Sequence, residues 1–484
     1  MLFNSLHFFV FFIIVTTIYF ATSHNKRWLL LLISSCYFYM AFVPVYILIL
    51  GLTIIIDYFS GIYIEKANGK SRKVFLIISL ITNVGVLALF KYYNFINQNI
   101  SLILHSFEYS NPIPYLTILL PIGLSFHTFQ AMSYVIEVYR GDQKAEKHFG
   151  IYALYVMFYP QLVAGPIERP QNLLHQFREK YNFDYDRVVS GLKLMAWGLF
   201  KKVVIADRLA LIVDKVYDNP YQNNSLSLII ATVLFTFQIF CDFSGYSDMA
   251  IGAARVMGFK LMKNFDKPYK AKSVQEFWKR WHISLSTWFK DYLYIPLGGN
   301  RVSIPRWYFN IFIVFLISGL WHGANKTFII WGGLHGFYLV FSLITNDIRK
   351  KINRFLLIDK IPFLSTISTF ILIAFAWIFF RASSVKHALY IIKKIFIGIP
   401  EILNGNFITN LTFEIIQLGD SELIFSFFLI FFLEIIHFIQ SRYNINDILG
   451  TKPIYFRWFI YCNLILSILF FGVFEDRQFI YFQF

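Results

Sequence analysis

Charged residues are scarce in this sequence. Of its 484 residues, only 15% are Asp, Glu, Lys or Arg, whereas a soluble globular protein carries about 25%. Apolar residues make up 57%, and they form blocks whose length, roughly 20 residues, is that of a helix crossing a bilayer. The composition therefore argues against an ordinary soluble protein and predicts an all-α polytopic membrane protein.

Cysteine is also rare. Cys36, Cys241 and Cys462 lie in separate apolar blocks and have no paired spacing, which argues against a disulfide framework or a zinc site. We expect them to be buried as small apolar residues. No group of His, Cys and carboxylate residues has ligand spacing either, so we expect no metal site.

Acidic residues are few relative to basic ones, 28 against 44, which gives a net charge of +16. The basic residues lie in short loops between apolar blocks, as signals of membrane orientation do. Nucleic acid is therefore not the expected partner. Anionic lipid headgroups or an anionic substrate fit this charge better.

The first apolar stretch, residues 8–21, lacks both a preceding basic region and a small-residue cleavage site, so we expect a membrane helix there rather than a cleaved signal peptide. Pro44, Pro121 and Pro160 interrupt other apolar stretches, which predicts re-entrant pieces in addition to about eleven crossings. No internal repeat of fixed period is visible, which disfavours an inverted-repeat transporter. We expect residues 1–484 to form a single membrane domain.

A basic segment separates the apolar blocks in the middle of the chain. Residues 260–301 contain nine basic and three acidic residues, a net charge of +6, so we place residues 260–306 on the cytoplasmic side. Ser273 and Glu276 have the spacing of a capping box. Apolar residues then recur at helical spacing, at Phe277, Trp281, Leu285 and Trp288. This pattern predicts one amphipathic helix along the membrane interface.

A histidine ends the next apolar run. Residues 308–321 would rise only about 21 Å as a helix, which is less than the hydrocarbon core of about 30 Å. This length predicts that His322 lies inside the membrane at the tip of a hairpin, where an ionisable group is functional by default. A neutral imidazole is the usual general base, with packing as the alternative role. Trp321 and Asn325 are candidate supports.

Three further residues are candidates. His282, in the basic segment, is either a second catalytic or donor-orienting group or an interface residue. Asp242 and Asp248 are carboxylates within an apolar block, and each needs a partner because burying an unpaired charge is costly. They form a structural polar network or line the route to the reacting centre.

Five ordered motifs, at residues 158–169, 242–248, 277–286, 294–301 and 318–323, together resemble those of the membrane-bound O-acyltransferases. The nearest branch is similar to the bacterial enzymes of alginate and peptidoglycan O-acetylation. The resemblance implies a ring of about eleven transmembrane helices, with re-entrant and interfacial helices, around a central tunnel in the bacterial cytoplasmic membrane. It also implies that His322 is catalytic and that His282 is a second important residue.

The resemblance further implies the reaction. An acyl group, which we expect to be acetyl, passes from cytoplasmic acyl-CoA to a hydroxyl acceptor, so acetyl-CoA is a co-substrate and no cofactor is permanently bound. The expected partner is an extracytoplasmic O-acetyltransferase that acts on a polysaccharide. Basic residues could attract the phosphates of coenzyme A; the candidates are Lys279, Arg280, Lys290 and Arg301. The alternatives are D-alanyl transfer to teichoic acid and an acyl-group transporter without covalent chemistry.

The last ten residues, 475–484, form an aromatic tail. One interpretation is an interfacial anchor. The other is that Tyr481 carries the acyl group, because this ending resembles the tyrosine-bearing tails proposed as acyl carriers in envelope acylation systems.

Overall fold

The computed structural model describes residues 1–117, 121–163, 165–355, 361–401, 420–443, 445–474 and 479–480. Every regular element within these ranges is a helix, which confirms the predicted all-α class. Tyr481 lies outside the described residues. The chain divides into two compact units, Met1–Met195 with Tyr246–Lys263, and Ala196–Gly245 with Asn264–Phe484.

The first unit contains α1 (Leu6–Ala21), α2 (His24–Met40), α3 (Tyr46–Lys66), α4 (Lys70–Leu87), α5 (Tyr93–Ser106), α6 (Leu124–Arg140), α7 (Phe149–Met157), α8 (Tyr159–Leu162), α9 (Pro170–Leu173) and most of α10 (Tyr185–Leu199). A π-helical turn, Ala88–Tyr92, joins α4 to α5. The buried Asp57 carboxylate accepts hydrogen bonds from Ser79 Oγ (2.5 Å) and Asn83 Nδ2 (2.9 Å). These bonds join α3 to α4.

The remaining helices are α11 (Asp207–Tyr217), α12 (Ser225–Met257), α13 (Val274–Arg280), α14 (Ile283–Phe289), α15 (Ile304–His322), α16 (Lys326–Ile344), α17 (Asn346–Phe355), α18 (Pro362–Arg381), α19 (Val385–Glu401), α20 (Asp420–Arg442), α21 (Ile445–Gly450) and α22 (Ile454–Phe471). They belong to the second unit, except that α12 passes from the second unit into the first at Tyr246. Helix α10 continues through π-helical residues Phe200–Ala206 into α11.

Eight helical segments in the described ranges are long and apolar enough to cross a membrane. They are Tyr46–Lys66, Lys70–Ser106, Ser225–Met257, Ile304–His322, Lys326–Ile344, Pro362–Arg381, Ser421–Arg442 and Ile454–Phe471. Helix α1 is apolar but shorter, with 16 residues. The protein is therefore a multi-span membrane protein, while the count of about eleven crossings stays a prediction.

The hairpin of α15 and α16 carries His322, and it differs from the prediction in length. Helix α15 begins at Ile304 rather than at residue 308 and has 19 residues, so it rises about 28 Å, close to the hydrocarbon thickness of about 30 Å. The sequence estimate was wrong because Pro305 and Arg306 interrupt the apolar run, although Pro is favourable in the first turn of a helix. Helix length therefore does not establish that His322 lies deep in the membrane.

Two glycines bring α15 and α16 into close contact. A Cβ atom on Gly332 would lie 2.3 Å from the backbone oxygen of Phe315, and one on Gly319 would lie 2.3 Å from that of Phe328. Small residues at such positions allow membrane helices to pack closely. The contact sets the separation between the His322 end of α15 and the first turns of α16.

We expect Gly332→Ala to destabilise the protein by about 1–3 kcal/mol, because the added methyl group meets backbone that cannot move cheaply. Gly333→Ala is the matched control, since its Cβ atom would meet Leu316 Cδ2 at an ordinary 3.5 Å. The measurement is the midpoint of thermal aggregation in detergent. Equal midpoints for the two variants would contradict the close contact.

Candidate active site

The segment that carries His282 is two helices, not one. Helix α13 ends at Arg280 and α14 begins at Ile283, with His282 between them in the left-handed region at φ +43°. The prediction of a single amphipathic helix is therefore wrong. The helix start predicted at Ser273 is confirmed, since its Oγ accepts from Glu276 N at 3.1 Å, but the Glu276 side chain accepts from Lys272 N at 2.8 Å rather than from Ser273 N as in a capping box. The helical spacing continues across the break, which explains why the apolar pattern did not reveal it.

A preceding stretch of backbone fixes this break. Asp266 N donates to Arg280 O at 2.9 Å, and Ile283 N donates to Asn264 O at 2.9 Å. These two bonds use backbone groups at the end of α13 and the start of α14, where helix ends leave donors and acceptors without intrahelical partners. They hold His282 in a conformation that non-glycine residues rarely adopt and that is often found at functional sites.

His282 is fully buried among aromatic rings. Its ring centroid lies 4.6 Å from that of Phe243 in an edge-to-face contact and 6.1 Å from that of Trp321. Its Nδ1 lies 3.2 Å from Asn264 Oδ1. Burial lowers the pKa of His282 to about 3, because a charged imidazole loses its hydration there. The imidazole is therefore neutral at physiological pH.

His322 is the last residue of α15, and its side chain is also buried. Its ring makes edge-to-face contacts with Trp321 and Trp331, both with centroids 4.9 Å away, and lies 5.6 Å from Phe380. Helices α15, α16 and α18 thus each supply an aromatic wall. A neutral imidazole is the form that can accept a proton.

Trp321 joins the two histidines, since its indole contacts both His282 and His322. The structure therefore brings three of the sequence candidates together in one buried aromatic cluster of the second unit. His335 belongs to the same cluster, where its Nδ1 accepts from Trp278 Nε1 at 3.3 Å. That bond agrees with a packing and hydrogen-bonding role for His335.

The remaining support candidates, Asn325, Asp242 and Asp248, lie in different surroundings. Asn325 caps α16, accepting from Thr327 N at 3.1 Å. Asp242 forms an ion pair with the buried Lys202 at 2.7 Å, and its other oxygen accepts from Ile480 N at 2.8 Å. Asp248 belongs to the first unit. Asp242 thus has the partner that a buried carboxylate requires, and the two carboxylates of this motif fall in different units.

The four basic residues that are candidates for donor binding differ in whether their side chains are available to a ligand. Lys279, Lys290 and Arg301 have exposed side chains. Arg280 forms an ion pair with Glu276 at 2.7 Å and also donates to Asp266 O. The exposed three can meet an anionic ligand from solution, whereas Arg280 holds the end of α13 in place.

Comparison with known proteins identifies the family. Residues 147–385, which include both histidines, match the model of the membrane-bound O-acyltransferase family. A probable alginate O-acetylase of Pseudomonas aeruginosa is 40% identical over 362 residues, which cover 74% of this chain and 67% of that protein. The chain belongs to the membrane-bound O-acyltransferase family. It is accordingly an O-acyltransferase and a membrane enzyme.

Two further proteins are also similar to this chain. A peptidoglycan O-acetyltransferase of Helicobacter pylori is 37% identical, covering 75% of this chain and 72% of that protein. A teichoic acid D-alanyltransferase of Bacillus subtilis is more distant, with 26% identity over 44% of this chain and 56% of that protein. The alginate O-acetylase and the peptidoglycan O-acetyltransferase are thus more similar to this chain than this D-alanyltransferase is.

Asn264, which contacts His282, is not among the residues predicted from the sequence. An amide within the basic segment has no periodic pattern, and its partners lie 18 and 20 residues further along the chain. The one signal in the sequence is that Asn264 is a polar uncharged residue between Lys263 and Phe265, 18 residues before His282.

Proposed function

We propose that this protein transfers an acetyl group from cytoplasmic acetyl-CoA to a hydroxyl acceptor, for the O-acetylation of an extracytoplasmic cell-envelope polysaccharide. Similarity to a probable alginate O-acetylase and to a peptidoglycan O-acetyltransferase supports this proposal. The observation that carries it is that two buried imidazoles, those of His282 and His322, both contact the indole of Trp321. The proposed location is the bacterial cytoplasmic membrane.

His322 acts as the general base. Its imidazole takes the proton of the acceptor hydroxyl while the hydroxyl oxygen attacks the thioester carbonyl carbon, and a tetrahedral intermediate forms. The carbon–sulfur bond then breaks, and the coenzyme A thiolate leaves with the proton returned by the imidazolium. Such proton transfer contributes about 10²–10⁴-fold to rate.

Lys279, Lys290 and Arg301 are proposed to attract the phosphates of coenzyme A. They are exposed and belong to a segment with a net charge of +6, and such charge raises the local concentration of an anionic substrate. The polysaccharide is proposed to be acetylated by a partner, an extracytoplasmic O-acetyltransferase that accepts the group from this protein.

Tyr481 is proposed as the residue that carries the acetyl group. Support comes from the two tail residues before it that the structure describes. Ile480 N donates to the Asp242 carboxylate, and the Phe479 ring lies 5.4 Å from that of Phe243. Phe243 in turn contacts His282. The tail thus reaches a residue that packs on one of the two imidazoles.

Incubation of the full-length protein in detergent with acetyl-CoA tests the proposed reaction. We expect release of free thiol and appearance of the acetyl label in protein or in an added acceptor, with alginate oligosaccharides and muropeptides as separate arms. In vesicles, movement of labelled acetyl groups across the membrane without thiol release would instead support the transporter alternative.

A further inference from the structure

Asn264 is the polar neighbour of His282, and it is almost completely buried, with 1% of its surface exposed. Its side-chain oxygen Oδ1 lies 2.9 Å from Ser284 Oγ, 3.3 Å from Ser284 N and 3.2 Å from His282 Nδ1. Its backbone oxygen accepts from Ile283 N. Asn264 therefore contacts the start of α14 through both its backbone oxygen and its side-chain amide.

The backbone of Ser284 determines which way this amide faces. A backbone N–H can only donate, so the Asn264 atom that faces Ser284 N must be the carbonyl oxygen and not the NH₂ group. The opposite orientation would place two donors against each other in a buried site, which is costly. The same oxygen lies 3.2 Å from His282 Nδ1. The Ser284 hydroxyl donates to that oxygen at 2.9 Å rather than to Nδ1 at 3.4 Å, so the ring nitrogen that faces the oxygen is itself a donor.

We infer that Asn264 is a positioning residue that holds His282 in the tautomer with its proton on Nδ1 and a lone pair on Nε2. The hydrogen bond at one ring nitrogen sets the state of the other. A neutral imidazole held in this way can accept a proton or a hydrogen bond at Nε2, but it cannot donate one there.

This inference rests on the proposed function and adds that Nε2 of His282 acts as an acceptor and not as a donor. With His322 taking the proton of the acceptor hydroxyl, His282 accepts a hydrogen bond from an N–H group of the donor, and it does not stabilise the oxyanion of the tetrahedral intermediate. Other donors must stabilise that oxygen. The low pKa of His282 is consistent with this division, since the ring stays neutral.

Two substitutions separate positioning from packing. Asn264→Leu removes the acceptor at similar volume, and we expect kcat/KM to fall about 100-fold or more, the scale of lost general-base assistance. Asn264→Asp keeps an acceptor, so we expect substantial activity. Its carboxylate would raise the pKa of His282, and the acidic limb of the pH profile should move about 1–3 units higher.

The surroundings of His282 make that shift interpretable. Within the part of the chain that the structure describes, rings of Phe243, Phe265 and Trp321 pack on it, and these do not titrate. Three carboxylates on the adjoining segments are held in ion pairs, Asp242 with Lys202, Asp266 with Lys267 and Glu276 with Arg280, and the Lys279 side chain is exposed to solvent. The introduced carboxylate would therefore be the new charge that faces the ring.

Asn310→Leu is the matched control, because Asn310 is a buried amide of the same unit that donates to Leu297 O and Gly299 O instead. We expect it to keep the wild-type pH profile even if stability falls. In ¹⁵N-histidine-labelled protein, the signals lost in His282→Gln identify His282. In the wild type these signals should report a protonated Nδ1 and an unprotonated Nε2.

The outcomes are distinguishable. If His282→Gln abolishes activity while Asn264→Asp leaves the acidic limb unmoved, or if the ¹⁵N signals report a protonated Nε2, the positioning role of Asn264 is wrong and the proposed function stands. If His282→Gln retains full activity, the part of His282 in the proposed function fails. Should Asn264→Leu not fold, the Asn264→Asp profile and the tautomer still decide.

Discussion

Replacement of His322 by alanine is expected to abolish acyl transfer while the protein still folds. Purified His322→Ala in detergent should release thiol from acetyl-CoA at least about 10³ times more slowly than the wild type, within the range for loss of a general base. His322 ends α15 and makes ring contacts that alanine cannot replace, so the measurement includes a thermal midpoint.

His322→Gln separates the proton-transfer role from packing. Glutamine is polar and of similar length, but it cannot act as a base near neutral pH. We expect it to be as inactive as His322→Ala and nearer the wild type in stability. His437→Ala is a control, because this histidine lies on α20 against Glu434 and Phe240, whereas the rings against His322 include those of Trp321, Trp331 and Phe380. Full activity of His322→Gln would show that His322 is not the general base.

The sequence alone predicted the parts of the site that depend on local pattern. His322 stands out because it ends an apolar run, and the cap at Ser273 follows from a four-residue motif. The break at His282 could not be predicted, since the helical spacing of apolar residues continues through it. It arises from backbone bonds to Asn264 and Asp266, which are contacts of tertiary structure.

The start of α15 shows a different reason for error. Its first turn contains Pro305 and Arg306, so a search for uninterrupted apolar residues begins the helix four residues late. The contact of Trp321 with both histidines was likewise not predictable, because it depends on how α15 packs against the loop at His282.

Tyr481→Phe is expected to prevent acetylation of the polymer without unfolding the protein. The substitution removes one oxygen atom, the proposed site of attachment, and keeps the aromatic ring of the tail. We expect the acetyl label on the C-terminal peptide, measured by mass spectrometry after incubation with labelled acetyl-CoA, to disappear. Polysaccharide acetylation in cells should fall at least about 100-fold, as for loss of a covalent intermediate.

Tyr455→Phe is the matched control, because Tyr455 is an exposed phenol at the start of α22. It should keep both the peptide label and polymer acetylation. Retained polymer acetylation in Tyr481→Phe would instead show that the acceptor hydroxyl belongs to another molecule. The thiol release assay would then require that molecule, whereas His322 would keep its proposed role.

A phenol suits a carrier for a thermodynamic reason. Its pKa near 10 makes it a better leaving group than a sugar hydroxyl, so an aryl acetate passes its acyl group onward without further energy input. The tail must also be held near the reacting groups, since a positioned reactant gains a large effective concentration. Ile480 N on the Asp242 carboxylate, which Lys202 holds in turn, provides such an attachment one residue before Tyr481.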